Sequence, residues 1–125
     1  DLKIHKRVIF KGWVKNTTSY LKFSKFFVLS SVYEGLGNVL IDAINYDIPC
    51  ISTNCYSGPR EILLNGKGGY LVKVKSPELL AQKISFCVNN YSDALKKNTI
   101  AKKALKRFLI IGQSKKYFDY LTKHN

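Results

Sequence analysis

Apolar residues fall along the chain in short runs that alternate with amphipathic stretches, and glycine and proline mark most of the joints. Residues 7–10 (RVIF) form a β-branched and aromatic run closed by Gly12, which predicts a strand and a turn. Thr17 or Thr18 is placed to cap a short helix running through Phe23. Residues 26–29 (FFVL) are continuously apolar, the pattern of a strand buried on both faces in a parallel sheet. A loop with two glycines, residues 30–37, then leads to a helix at residues 38–45, with Val39, Leu40, Ala43 and Ile44 on one face.

Pro49 precedes a further strand at residues 50–52. Ser57, Gly58 and Pro59 open a short helix through Leu64, with the proline near the first-turn position it favours. Gly68 and Gly69 turn into a strand at residues 70–74. Ser76, Pro77 and Glu78 combine a capping hydroxyl, a proline and an early carboxylate, so a helix is expected from there to about Asn89. Beyond Ser92 the pattern is helical and lysine-rich, with Ala94, Leu95, Ala101, Ala104, Leu105 and Phe108 apolar and a last helix at residues 115–121. Strands alternating with helices predict an α/β domain on a parallel sheet, because each crossover must lie over a sheet face.

At 125 residues the chain has room for one domain, able to bury roughly two thirds of the surface its unfolded form exposes. No internal repeat, low-complexity tract or linker interrupts it. No apolar run approaches the roughly 20 residues that span a bilayer. The chain opens on Asp1, without methionine and without the apolar stretch of a signal peptide, which is read as a fragment or truncated product. Cys50, Cys55 and Cys87 cannot all pair, and their spacing is not that of a zinc site, so buried thiols in a reducing cytoplasm are expected.

The formal charge is +13, from 21 Lys and Arg against 8 Asp and Glu. Nucleic acid, an anionic membrane surface or a lysine-biased proteome would each account for it. Lysine outweighs arginine and the aromatic signatures of RNA-binding domains are missing, which disfavours nucleic acid and leaves the membrane as the sharper alternative to a solvated surface.

In a parallel α/β sheet, ligands bind outside the carboxyl ends of the strands, which directs attention to the loop Ser30-Ser31-Val32-Tyr33-Glu34-Gly35-Leu36-Gly37-Asn38. Its glycines let backbone approach a ligand, and the helix behind it turns unpaired N–H groups and a partial positive charge toward an anion such as a diphosphate. Asp42 lies eight positions after Glu34, about 60° outside the helix's apolar stripe. An ionised carboxylate accepts several hydrogen bonds, so Glu34 on the loop and Asp42 on the helix are candidates to grip hydroxyls of a sugar and a ribose. The alternative from the residues alone is a solvated Glu34 and an Asp42 that only favours the helix's N-terminal half.

The stretch FFVLSSVYEGLGNVLIDAINYDIPCISTNCYSGPREIL, with GWVKN before it and GGYLVKVKSPELLAQKI after it, closely resembles the donor-binding domain of retaining family 4 glycosyltransferases of GT-B fold, over residues 7–88. The resemblance implies a Rossmann-like parallel sheet flanked by helices, one half of a GT-B fold. Residues 1–91 would form the nucleotide-sugar-binding domain, and 92–125 lysine-rich helices packed on it. It also implies a missing N-terminal acceptor domain, without which the chain is an incomplete enzyme. The activity implied is transfer of a hexose or N-acetylhexosamine, with UDP as the expected carrier, to a glycan or lipid-linked acceptor, with retention of configuration.

Glu34 matches the first member of the family's Glu-x7-Glu signature, the catalytic position beside the donor sugar. Gly35, Leu36, Gly37, Asn38 and Val39 match the segment along the sugar and diphosphate. Asp42 stands where the second glutamate holds the ribose, one methylene shorter. The helix start would stabilise charge growing on the departing nucleotide, so neither metal nor cofactor is expected and the nucleotide sugar is a substrate.

Arg60 is assigned to local structure, pairing with Glu61 or Glu34, with the ligand as the alternative. Phe10 and Trp13 are assigned to core packing, with the nucleobase as the alternative. His5 and His124 receive no chemistry. The lysine-rich helices are read as a solvated face, or as a contact with the cytoplasmic face of a membrane. Two other functions stay open at this point: a noncatalytic nucleotide-binding remnant, and a basic adaptor for membrane or nucleic acid.

Overall fold

A computed structural model describes residues 3–108 and 110–122; Asp1 and His124, noted above, lie outside them. The elements are α1 (Thr18–Lys22), β1 (Phe27–Leu29), α2 (Asn38–Asn45), β2 (Cys50–Thr53), α3 (Pro59–Ile62), β3 (Tyr70–Val72), α4 (Pro77–Asn89), α5 (Tyr91–Ala104) and α6 (Ile110–Thr122). Short 3-10 turns occupy His5–Arg7, Leu64–Gly66 and Leu105–Phe108.

The three strands form one parallel sheet in the order β1-β2-β3. Phe27 pairs with Cys50 and Leu29 with Ser52, while Ile51 pairs with Tyr70 and Thr53 with Val72. β2 is central and buried at every residue, and its side chains alternate between two cores. Cys50 joins Leu40, Ala43, Ile44, Ile62, Leu63, Ala101 and Leu105 on one face. Ile51 joins Tyr70, Cys87 and Ala94 on the other. Each fully buried Leu or Ile stabilises such a core by about 1.5–3 kcal/mol.

α5 reaches both cores, through Ala94 on one side and, with Leu105 of the 3-10 turn after it, through Ala101 on the other. It crosses the turn before β3 so closely that a Cβ on Gly68 would lie 2.8 Å from that of Ala101. The basic residues of α5 and of the 3-10 turn after it are partly engaged in the fold. Lys97 donates to the Gly66 carbonyl at 2.9 Å, Lys102 pairs with Asp47 at 2.7 Å and Arg107 donates to the Glu61 carbonyl. Lys96, Lys103 and Lys106 are exposed.

Several local expectations are corrected. The expected strand at residues 7–10 is instead a 3-10 turn, His5–Arg7, followed by extended chain outside the sheet. A strand needs a paired neighbour, and in the described residues this run has none, so Phe10 is 93% and Trp13 86% exposed and neither packs in the core. Thr17 takes the N-cap position of α1 as expected, but its hydroxyl makes no capping bond; the Thr18 N–H donates instead to the Asn16 side-chain oxygen at 2.9 Å. The Ser76 hydroxyl donates to the Val74 carbonyl at 3.3 Å and does not cap α4. Left-handed backbone at Leu64 and Asn65 ends the helix begun by Pro59 earlier than its apolar pattern suggests.

Candidate functional site

The loop at residues 30–37 leaves the carboxyl end of β1 and enters α2, and side chains from the neighbouring segments hold it in place. Thr53, the last residue of β2, donates its hydroxyl to the carbonyls of Leu29 and Ser31. Ser57 donates to the carbonyls of Glu34, 3.0 Å away, and Gly35, 2.7 Å away. Gly58 sits at φ 82° and ψ −77°, so close to the loop that an added Cβ would lie 2.1 Å from the Leu36 carbonyl oxygen. Only glycine permits that approach.

Glu34 is half-buried, and its Oε1 accepts a hydrogen bond from the Ser31 hydroxyl at 2.6 Å. The length is that of a charge-assisted O–H to carboxylate bond. Gly35 and Leu36 are exposed. Gly37 is buried and takes a left-handed conformation, φ 80° and ψ 50°, as the residue that begins α2. No side chain caps that helix start, so the N–H groups of its first turn, at Asn38 and Val39, meet the surroundings with the helix's partial positive charge.

Asp42 lies one turn further along α2, exposed, and lines a small cavity with Thr17 and Leu21 of α1, Phe27 and Val39. The structure thus brings Glu34, Gly35, Leu36 and Gly37 together with Ser31, Ser57 and Gly58. It sets Asp42 on the side of α2 that meets α1. The segment before α1 lies nearby, since Lys11 places its ammonium 5.7 Å from the centre of the Tyr20 ring.

Two depressions adjoin the loop. One, of about 180 Å³, lies over the strand ends between Ser30, Val32, Thr53, Ser76 and Leu80. The other, of about 380 Å³, is lined by Tyr56, Ser57, Gly58, Arg60, Glu61 and Asn65. Arg60 is exposed, and its Nε donates to the Asn54 side-chain oxygen at 3.0 Å, a local contact made with neither Glu61 nor Glu34. A larger cavity, of about 480 Å³, lies between β3 and α4 and is lined by none of the predicted site residues.

Sequence reasoning missed Ser31 and Thr53, and assigned Ser57 and Gly58 no contact with the loop at residues 30–37. A signal was present: Thr53 closes a strand at the end where ligands are met in this kind of sheet. Which carbonyls these hydroxyls reach depends on how the chain folds back over separations of 22 to 24 positions, and that is invisible in a linear pattern.

The model of the family described as Glycosyl transferases group 1 matches residues 1–90. An uncharacterized glycosyltransferase of Methanocaldococcus jannaschii is 40% identical over 97 residues, covering 67% of this chain and 24% of that protein. The lipopolysaccharide 1,6-galactosyltransferase of Salmonella typhimurium is 38% identical over 82 residues, 57% of this chain and 21% of that protein. The N-acetylgalactosamine-N,N'-diacetylbacillosaminyl-diphospho-undecaprenol 4-alpha-N-acetylgalactosaminyltransferase of Campylobacter jejuni is 30% identical over 82 residues, 66% of this chain and 22% of that protein. Among solved structures, the crystal structure of TarM superimposes with a TM-score of 0.75 at 25% identity, over 87% of this chain and 22% of that one. The chain therefore spans less than a quarter of the length of these proteins.

Proposed function

Because the chain belongs to the group 1 glycosyltransferases and has the fold of half a GT-B enzyme, we propose that it binds the donor, a nucleotide diphosphate sugar, along residues 34–42. The observation that carries this reading is the pinned loop: a half-buried Glu34 carboxylate set immediately before an uncapped helix start. In this arrangement Glu34 accepts hydrogen bonds from donor-sugar hydroxyls. Backbone N–H groups of residues 35–39 face the diphosphate, with the helix dipole favouring charge that develops on the departing nucleotide. That electrostatic role requires no metal.

Asp42 takes the ribose. Its position toward α1 supports a donor that runs from Glu34 past the α2 start to the α1 side, where the exposed Phe10 and Trp13 offer stacking surfaces for the base. The donor sugar is proposed to be a UDP-linked hexose or N-acetylhexosamine, transferred with retention. The names of the Salmonella and Campylobacter relatives, a galactosyltransferase and an N-acetylgalactosaminyltransferase acting on a diphospho-undecaprenol glycan, support a glycan or lipid-linked acceptor. Catalysis would then require an acceptor-binding domain facing this one.

Among the described residues no helix is long and apolar enough to cross a membrane. The proposed setting is the cytoplasmic face of a membrane, with exposed lysines such as Lys96, Lys103 and Lys106 toward anionic lipid.

The test is an NMR titration of the labelled chain with UDP-N-acetylglucosamine, UDP-glucose and GDP-mannose at two salt concentrations. Saturable shifts centred on residues 34–42 that differ among donors are expected. A folded spectrum with no shift there at millimolar ligand overturns the reading.

A further inference from the structure

Ser31 is three residues before Glu34, and its hydroxyl does more than close the loop. Its bond to Glu34 Oε1, at 2.6 Å, engages one carboxylate oxygen and leaves Oε2 as an acceptor for another donor. The backbone at both ends of this bond is fastened independently. Thr53 donates to the Ser31 carbonyl, and the Ser57 hydroxyl shares its proton between the Glu34 and Gly35 carbonyls, so the backbone at both residues is held by contacts other than the bond between their side chains. What those anchors leave free is rotation of the glutamate about its own side-chain bonds, and only a contact to the carboxylate itself removes it.

We propose that Ser31 is a positioning residue for the donor sugar, holding the Glu34 carboxylate by one oxygen so that the other meets a sugar hydroxyl in a single orientation. The inference rests on the donor-site reading above. It makes a prediction that a merely structural serine would not. The contribution of Ser31 is felt only by ligands carrying a sugar, because UDP alone has nothing for Glu34 to hold.

The experiment measures binding of UDP, UDP-glucose and UDP-N-acetylglucosamine to the wild-type chain and to Ser31→Ala, Ser31→Thr, Glu34→Ala and the Ser31→Ala/Glu34→Ala pair. Ser31→Ala is expected to weaken nucleotide-sugar binding about tenfold, the order of one charge-assisted hydrogen bond, and to leave UDP binding unchanged. Ser31→Thr, which keeps the hydroxyl, restores the affinity. The double variant binds no more weakly than Glu34→Ala, since the serine acts through the glutamate.

Equal weakening of UDP and the nucleotide sugars by Ser31→Ala, no weakening at all, or losses that add in the double variant would each overturn the proposal while leaving the donor site standing. A folded wild-type chain that binds neither UDP nor its sugars overturns the donor-site reading, and this inference with it.

Discussion

Replacing Gly58 with alanine is expected to dislodge the backbone of residues 34–36 and destroy the donor site. The new Cβ would lie 2.1 Å from the Leu36 carbonyl oxygen, 2.5 Å from its carbon and 2.8 Å from the Gly35 oxygen. A close carbon–oxygen contact is about 3.3 Å, so the loop must retreat by roughly an ångström. Retreat strains the Ser57 hydrogen bonds to Glu34 and Gly35, which hold the centre of the loop. The backbone at φ 82° and ψ −77° adds its own penalty for any residue with a Cβ.

Conformational strain of about 1–3 kcal/mol and overpacking of about 1–3 kcal/mol together set the loss at about 2–6 kcal/mol. A domain of this size has about 6–19 kcal/mol in all. The variant should therefore fold, with a melting temperature lower by roughly 8–24 °C, and should no longer bind nucleotide sugar. Gly35→Ala is the control on the same loop. Gly35 has no positive φ and nothing within 4 Å of its Cβ position, so alanine is neutral or adds about 0.4–1 kcal/mol of stability. Its methyl nevertheless intrudes where the donor is proposed to lie, and affinity should fall. Thermal unfolding by circular dichroism, paired with the donor titration, separates the two. A Gly58→Ala protein with wild-type melting temperature and unshifted resonances at residues 34–36 would refute the close approach on which this reasoning stands.

The remaining predictions concern the scaffold. Burial pushes the Cys50 thiol from 9.0 up to about 12 and raises Cys87; burial, then the hydrogen bond to Asp93, raises Tyr70. The native state keeps these protons where the unfolded chain loses them, so this stability is complete below about pH 8 and declines as pH rises from about 9. Urea unfolding from pH 8 to 11 should show that decline, shallower in Cys50→Ala; equal slopes would count against it. Tyr70→Phe removes the 2.7 Å hydrogen bond from the phenol to Asp93 and should cost about 1 kcal/mol by urea unfolding, the ring contacts with Phe86 and Lys83 being retained. Asp47→Gly loses an exposed ion pair with Lys102, about 0.2–1 kcal/mol, but relieves a left-handed φ of 61°. The net change should fall within about 0.5 kcal/mol of zero, and a loss above about 1.5 kcal/mol would mean that Asp47 has a larger role than this contact.

Much of the architecture was legible in the sequence because it rests on local rules. The continuous FFVL run, the proline and glycine joints and the apolar face of α2 predicted strands and helices that the fold reproduces to within a few residues. Motif order and spacing pointed to the same family that the matched region identifies. The donor loop, Glu34 to Val39, could be nominated from its place after an apolar strand and before a helix, although β1 lies at the sheet edge with Val28 exposed and is not buried on both faces as its FFVL run suggests.

What the linear pattern left undetermined depended on neighbours distant in sequence. Residues 7–10 have the composition of a strand, but a strand exists only against a partner, and in the fold they stand outside the sheet. Phe10 and Trp13 have the apolar character of core residues, but burial is a property of the surroundings that hydrophobicity alone does not decide. Thr17 and Ser76 hold the N-cap positions without capping through their hydroxyls, because a hydroxyl's partner is set by local dihedral angles, which residue type only biases. At the site, the sequence by itself determined which residues occupy the loop. The tertiary structure decided that Thr53, Ser57 and Gly58 converge on it and that Asp42 faces α1, since hydrogen bonds and steric exclusion act between atoms that only the folded chain brings within a few ångströms.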